Sequence, residues 1–589
     1  MIRSETARAF ADWRAMSPVE AVTAAYDRLD AYGDRAMFIT VRDRTQALDL
    51  AAQLEADGAE GKPLFGLPFA VKDNIDVAGM PTTAACPAAK FTPSISAYAV
   101  AKLEAAGAIC IGKTNLDQFA TGLVGVRSPY GVPRNSQRAD LVPGGSSSGS
   151  AVAVGAGIVA FALGTDTAGS GRVPAAMNAI VGLKPSLGLL SASGMIPACR
   201  TLDTISIFAA NTVDAAEATS VAQGYDAADF LSRALPAASP VTPVWGTITV
   251  GVPRDEDRHF FGDDLAKAAF EADLKSLEAL GATIKPIDFE PFYAVARLLY
   301  EGPWVAERYH AVRRLIESTP DALHPVTRGI ISGASSISAV DTFDAIYKLA
   351  DLRRSIEPIL GELDCLAVPS IPTVYSVEEL VAEPVQLNSN LGTYTNFVNL
   401  LDLAAISVPV GDRADGLSSS LTLIAQAGQD AFIAGIASAL EGNTADGEAL
   451  GARPGDVLLA VVGAHLTGMP LNEQLTSRNA RLVAETTTAP DYTLYALDGT
   501  VPPKPGLCRV AEGHGASIIV EVWSLSEAAF GSFVNDVPPP LGIGTVRLAS
   551  GQHVNGFIAE GIALEGAVDI TAHGGWRAYR AAVASSSAA

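Results

Sequence analysis

The sequence predicts an α/β protein, with a mixed β-sheet core covered by helices and a smaller C-terminal α+β domain. Two features of the 589 residues point there. Helical and strand-like segments alternate up to about residue 430, the pattern of a sheet layered between helices. A polar, glycine-rich stretch carrying a proline, residues 441–456, then interrupts the alternation, and short β-type runs follow it. The expected division is 1–440 for the first domain with its N-terminal helical segment, 441–456 for a linker and 457–589 for the second domain.

Residues 1–60 read as helical. Ser17-Pro18-Val19-Glu20 supplies a capping serine, a first-turn proline and a glutamate three residues on, which together start a helix. Residues 64–74 read as a turn feeding a short buried strand, Phe69-Ala70-Val71-Lys72. A lysine there is either a strand-end side chain reaching solvent or an ammonium held in apolar surroundings, where burial is unfavourable. Residues 107–114 match the phosphate-loop letters GxxxxGK[ST]. The variable positions Ala108-Ile109-Cys110-Ile111 look like a strand rather than a loop, so the match is assigned to chance.

Residues 143–185 concentrate glycines and hydroxyls. Gly144-Gly145-Ser146-Ser147-Ser148-Gly149-Ser150 opens the stretch, an Ala/Gly/Val segment follows, and Thr165-Asp166-Thr167-Ala168-Gly169-Ser170-Gly171-Arg172 comes next. Glycine runs imply unusual backbone angles or close backbone approach, and two hydroxyl-bearing loops of this kind favour an active site over flexible turns. Further on, strands are expected at 247–252, 283–287 and 365–368, with a helix at 265–280. The second domain should contain strands at 457–462, 492–496, 516–523 and 545–548, and the final eight residues, AVASSSAA, should fray.

Composition narrows the function. Hydrophobic residues make up 49% and charged residues 18%, as in a well-packed globular chain. A formal net charge of −23 argues against nucleic acid or an anionic membrane as partner, so an anionic substrate needs a local basic group. The five cysteines are scattered and form no CxxC, which suggests neither a disulfide scaffold nor a zinc knuckle. No metal-ligand spacing appears, and neither metal nor cofactor is expected. The N-terminus reads as an amphipathic helix rather than a signal peptide, and the apolar run 151–164 is too short to span a membrane; the expected location is the cytoplasm.

None of the seven histidines lies near either serine loop in sequence, although a triad could still assemble in space. A lysine is the other available base. Desolvation disfavours the ammonium, so a buried Lys72 could be neutral near pH 7 and activate a serine.

These segments resemble the amidase signature family. The matching stretches are Phe69-Ala70-Val71-Lys72-Asp73-Asn74, Gly144 to Ser150, Gly164 to Pro174, Val181-Gly182-Leu183-Lys184-Pro185 and Ile406-Ser407-Val408-Pro409. The resemblance spans roughly residues 15–430 and implies that family's mixed-sheet fold and a Ser–cis-Ser–Lys triad. On it, Ser170 is the nucleophile, Ser146 the bridging serine in a cis peptide and Lys72 the base. Backbone N–H groups of Thr167, Ala168 and Gly169 form the oxyanion hole, while Arg172 and Asp203 brace the loops. Two departures stand out: Ser148 replaces a usual glycine, and Gly171 removes a bulky side chain beside the nucleophile, which should reshape the pocket.

The run from Asp166 to Ala175, with Ile196 to Asp203 and Leu298 to Tyr309, resembles the allophanate hydrolase branch of the family. The branch implies substrate binding by Tyr300 and Arg308, a homodimer, and allophanate as substrate. Spacing alone would make Arg308 a solvated helix residue and Tyr300 a core aromatic; the resemblance reverses that. The branch also carries a C-terminal domain with the motif found at Gly463-Ala464-His465-Leu466-Thr467-Gly468-Met469-Pro470-Leu471-Asn472. It implies His465 as participant in decarboxylating the first product, or equally a structural histidine in a supporting domain. More weakly, this domain resembles γ-glutamylcyclotransferase-like folds, whose catalytic carboxylate would fall near Glu521. Alternatives kept open are a broader amidase or ureido-hydrolase, and a subunit of an ammonia-transferring amidotransferase complex.

Overall fold

The computed structural model describes residues 6–235, 240–241, 243, 245–246, 248–443, 456–511 and 513–587. They fall into two compact units, one drawn from within Met1–Pro240 and Ile248–Thr444, the other from within Val241–Thr247 and Ala445–Ala589. Most of the expected linker, 444–455, lies outside the described residues.

The first unit is built on eleven strands: β1 (Phe38–Val41), β2 (Pro68–Lys72), β3 (Ile109–Thr114), β4 (Phe161–Asp166), β5 (Val181–Lys184), β6 (Thr204–Ala209), β7 (Thr249–Pro253), β8 (Thr283–Ile287), β9 (Cys365–Pro369), β10 (Leu403–Asp412) and β11 (Ser418–Gln426). They form one sheet in the order β1-β3-β2-β4-β6-β5-β10-β11-β9-β7-β8. It is mixed: β2 runs parallel to β3 and β4, while β4 and β6 are antiparallel. Every residue of β2, β3, β4, β5 and β6 is buried, as expected for strands covered on both faces. The helix Pro18–Tyr32 starts as its sequence dictates, with Ser17 accepting from the Glu20 amide and Glu20 reaching back. One strand, β1, interrupts the stretch expected to be helical.

The segment between the serine loops divides into a helix, Ser148–Gly155, and strand β4. All eight helical residues are buried, and tight approach explains their small size. A Cβ on Gly149 would fall 2.2 Å from the Met37 carbonyl, and one on Gly164 would fall 2.5 Å from the Phe208 ring. Register pairs Val71 with Leu163, so Lys72 and Asp166 close neighbouring parallel strands at the same end of the sheet. The Gly112-Lys113-Thr114 letters lie inside β3, where Lys113 is ion-paired to Asp73 at 3.1 Å, so they form no phosphate loop.

The second unit holds β12 (Asp456–Val461), β13 (Arg481–Thr487), β14 (Tyr492–Ala496), β15 (Pro505–Arg509), β16 (Ile519–Ser526), β17 (Leu541–Arg547), β18 (His553–Ala559) and β19 (Val568–Asp569). A five-stranded sheet has the order β13-β16-β12-β18-β17 and a three-stranded one β15-β14-β19. Its core gathers Leu459, Val461, Tyr492, Val522, Trp523 and Trp576. Of the final eight residues, expected to fray, 582–587 continue a helix that runs Trp576–Ser587, and 588–589 lie outside the described residues. Among the described residues no helix is long and apolar enough to cross a membrane.

Candidate active site

Strand β2 delivers Lys72 fully buried beneath the two serine loops. Its Nζ lies 2.7 Å from Ser146 Oγ and 2.6 Å from Thr165 Oγ1. Burial pulls this lysine down to about 7, against the opposing pull of Asp117, Asp203 and Asp166. A neutral amine has two N–H bonds and one lone pair. With Thr165 taking an N–H, the lone pair is available to the Ser146 hydroxyl. Thr165 is a partner that the motif letters alone do not single out, although it stands within them.

The Gly145–Ser146 peptide is cis. Gly144, at φ +73°, adopts a left-handed backbone that suits glycine. Gly145 is fixed by crowding, since a Cβ there would fall 2.1 Å from Asp117 Oδ2. Asp117 organises this loop from the outside. Its amide donates to the Ser146 carbonyl, and its carboxylate accepts from the amides of Val124, Gly125 and Arg127. Gly145-Ser146-Ser147-Ser148-Gly149 also fits the letters of a G-x-S-x-G elbow, but Ser147 donates to the Thr165 carbonyl at 3.1 Å and is spoken for.

The second loop follows β4 and is folded around Asp166. That carboxylate accepts from the amides of Gly169 and Gly171, each at 2.9 Å, and from Arg172 Nε and Nη2, also at 2.9 Å. Burial opposes its ionisation, yet the Arg172 guanidinium holds it below the usual carboxylate range. The expected oxyanion donor Gly169 is therefore corrected: its N–H is taken by Asp166. The amides of Thr167, Ala168 and Ser170 have no acceptor among the described residues. Asp203 accepts from the Thr167 hydroxyl and from the amides of Ala198 and Cys199, and burial pushes it up to about 6. Arg172 and Asp203 thus hold the loop. Ser170 is 2% exposed, and its hydroxyl makes no hydrogen bond among the described residues, so the expected Ser146–Ser170 link is absent here.

The position of Gly171 is closely packed. A Cβ there would sit 2.7 Å from Ser206 Cβ and 3.1 Å from Asp166 Oδ2, so its smallness lets the loop lie against β6.

Tyr300 lies in the last turn of the helix Glu290–Glu301, and Arg308 lies in the next helix, Trp304–Ser318, after a break at Gly302 and Pro303. The break still brings them together, with the Arg308 guanidinium 5.4 Å from the Tyr300 ring centre. Arg308 is 1% exposed. Its Nη1 donates to Thr121 Oγ1 at 3.2 Å and to the Ala120 carbonyl at 3.4 Å, while Nε and Nη2 are buried with no partner. The charge is near enough to the loops to help depress Lys72 and to oppose the upward shift of Asp203. Ala168 belongs to the buried cluster against which Tyr300 packs.

In the second unit His465 is 9% exposed, with Nε2 2.9 Å from Gln474 Oε1. Glu521 is locked: its carboxylate accepts from the Thr467 amide and hydroxyl and the Trp523 indole, and pairs with Arg577. That carboxylate is a structural anchor for the His465 loop, not an open catalytic group.

Comparison with known proteins finds two family profiles that match the chain. The Amidase family profile matches residues 20–433, and the profile described as the allophanate hydrolase C-terminal domain matches residues 457–581. A urea amidolyase from Lachancea kluyveri is 46% identical over 544 residues, covering 88% of this chain and 30% of the relative; the chain thus spans about a third of such relatives. The solved allophanate hydrolase of Kluyveromyces lactis is 40% identical with a TM-score of 0.81, over 98% of this chain and 100% of that one. The A-type component of glutamyl-tRNA(Gln) amidotransferase from Thermotoga maritima superposes with a TM-score of 0.62 at 28% identity, over 75% of this chain and 96% of that one. With its serine loops, buried lysine and matched profile covering most of its length, the chain belongs to the amidase family.

Proposed function

We propose that the chain hydrolyses allophanate (urea-1-carboxylate) to ammonia and N-carboxycarbamate through an acyl-enzyme on Ser170. Lys72 accepts the proton of Ser146 as Ser146 takes that of Ser170, whose Oγ attacks the terminal carbamoyl carbon. The amides of Thr167, Ala168 and Ser170 receive the oxyanion. The bond to the terminal nitrogen breaks, ammonia departs with the relayed proton, and water releases N-carboxycarbamate from Ser170. The lysine at about 7 supports this reading, because its unprotonated form is well populated at neutral pH. Ser170 must come within reach of Ser146 on substrate binding, an adjustment unliganded sites commonly require.

The observation that carries the substrate assignment is Arg308, buried with Nε and Nη2 unpartnered. A guanidinium left in that state calls for an anion, and its planar fork suits a carboxylate. Allophanate offers one carboxylate on a very small amide. N-carboxycarbamate then loses carbon dioxide, and the final products are ammonia and carbon dioxide; His465 is the candidate participant in the second unit. A role as the ammonia-transferring component of a complex is the second reading, since the corresponding glutamyl-tRNA(Gln) amidotransferase chains align over 72% of this one. The further match at 457–581 favours the hydrolase.

The test is ammonia release by the purified chain on allophanate, biuret, malonamate and simple aliphatic amides. Strong preference for allophanate is expected; equal rates would favour a broad amidase, and no activity without a partner would favour the transferring complex. The same reading takes the protein to be a cytoplasmic homodimer, which sedimentation of the pure chain and cell fractionation check.

A further inference from the structure

A threonine far along the chain reaches into the loop that bears Ser170. Thr395 stands in the turn between the short helices Gln386–Leu391 and Phe397–Leu400 and is fully buried. Its hydroxyl donates to the Ala168 carbonyl at 2.6 Å, 227 residues away in sequence, with a longer approach to the Gly392 carbonyl at 3.4 Å. The Ala168 carbonyl and the Gly169 N–H belong to one peptide group. Asp166 Oδ1 takes that N–H at 2.9 Å, so the peptide is held at both ends.

The double grip matters because of the residue it surrounds. Gly169, at φ +126°, has the backbone freedom to let a peptide held at one end turn over. A Cβ on Gly169 would fall 2.7 Å from Thr395 Cβ, so the threonine reaches Ala168 only across a glycine. The next peptide is held separately, since the Gly169 carbonyl accepts from the amides of Arg172 and Val173 at 2.9 and 2.8 Å. Thr395 is itself anchored to the loop. Asn399, four residues on, donates to the Asp166 carbonyl at 2.8 Å, and Arg172 Nη2 donates to the Thr395 carbonyl and to Asn399 Oδ1, each at 3.3 Å.

We propose that Thr395 is a positioning residue for amide hydrolysis: its hydroxyl fixes the Ala168–Gly169 peptide and so keeps the neighbouring Ala168 N–H aimed at the oxyanion. This rests on the proposed function, in which the Ala168 amide is one of the oxyanion donors. Such donors are effective because they are oriented before the charge develops. Without the hydroxyl, the Ala168 carbonyl is a buried acceptor lacking its partner, and the peptide gains a reason to turn. Thr395 touches no reacting atom, so its effect belongs to the transition state rather than to substrate capture.

The experiment compares the full-length Thr395→Val chain, which keeps the side-chain shape and loses the hydroxyl, with Thr395→Ser, which keeps the hydroxyl. On allophanate, Thr395→Val should lower kcat between about tenfold and a hundredfold and leave KM within about twofold, because oxyanion contacts strengthen only in the transition state. Methylboronic acid gives a second readout, since it adds to the Ser170 oxygen as a tetrahedral, negatively charged boronate. Its inhibition constant should rise in Thr395→Val by a factor similar to the fall in kcat, while that of malonate, a ground-state carboxylate probe, should stay put. Thr395→Ser should bring kcat and boronate inhibition back to within about threefold of the parent. Thr395→Ala repeats the comparison if Thr395→Val does not fold. An unchanged kcat without the hydroxyl, a rise in KM in place of the fall in kcat, or a Thr395→Ser chain as slow as Thr395→Val overturns the proposal. Failure of the parent chain to release ammonia from allophanate would instead overturn the proposed function, so the two failures are distinct.

Discussion

Replacing Arg308 with methionine should remove activity on a carboxylate substrate while leaving the fold at least as stable. The side chain is 1% exposed, and only Nη1 is satisfied, by Thr121 Oγ1 and the Ala120 carbonyl. Nε and Nη2 are left for a ligand. Hydrogen bonds to charged groups contribute about 1.5–3 kcal/mol each, so losing a two-pronged grip removes roughly 3–6 kcal/mol. That corresponds to a fall in kcat/KM of between about a hundredfold and a few ten-thousandfold. Stability should move the other way, because a desolvated, half-satisfied cation is unfavourable in the free protein and a methionine of similar length is not. Biuret, in which a carboxamide replaces the carboxylate, provides the control. Steady-state ammonia release on both substrates, with a thermal melt, reads the outcome. Equal proportional losses on allophanate and biuret, or a variant that unfolds, would refute the reasoning.

Three further outcomes concern Lys72 and Gly171. Lys72, held at about 7 by burial, must lose its proton to act as base, so kcat/KM should rise through about pH 7 and level off above it. Because its folded pKa lies below the ordinary 10.5, the unfolded chain binds more protons between these values; stability should climb with pH across that window, and Lys72→Met should flatten the climb in denaturant melts. Gly171→Ala should destabilise by roughly 1–3 kcal/mol through overpacking against Ser206, and adding Ser206→Gly should recover most of the loss in the same melts.

The layout of the first unit was legible because its motifs are local. The capping serine Ser17 and the strand ending on Lys72 both follow from short-range chemistry, and both stand in the structure as expected. What escaped depends on contacts distant in sequence. Thr165 meets Lys72 only because β2 and β4 lie side by side, 93 residues apart in the chain. The Gly169 amide looks free in a run of small residues, but the Asp166 side chain folds back onto it. Gly171 reads as a missing side chain beside the nucleophile, and only the structure shows that Ser206 of β6 leaves a Cβ no room there. Asp117 sits beside a spurious phosphate-loop match and carries no motif of its own, though it organises the loop that bears Ser146. In the second unit Glu521 is a plausible acid by resemblance, and four donors hold it as an anchor. The closing run of Ala and Ser carries no capping or packing signal, yet it continues the helix begun at Trp576.

The central claim is that Ser170 is the nucleophile of an allophanate-cleaving amidohydrolase. Ammonia release from allophanate by the purified chain and by Ser170→Ala, measured side by side with circular dichroism, tests it most directly. The account expects robust release by the parent and none above background from a variant with an unchanged spectrum and melting temperature. Turnover retained by a folded Ser170→Ala protein would contradict it.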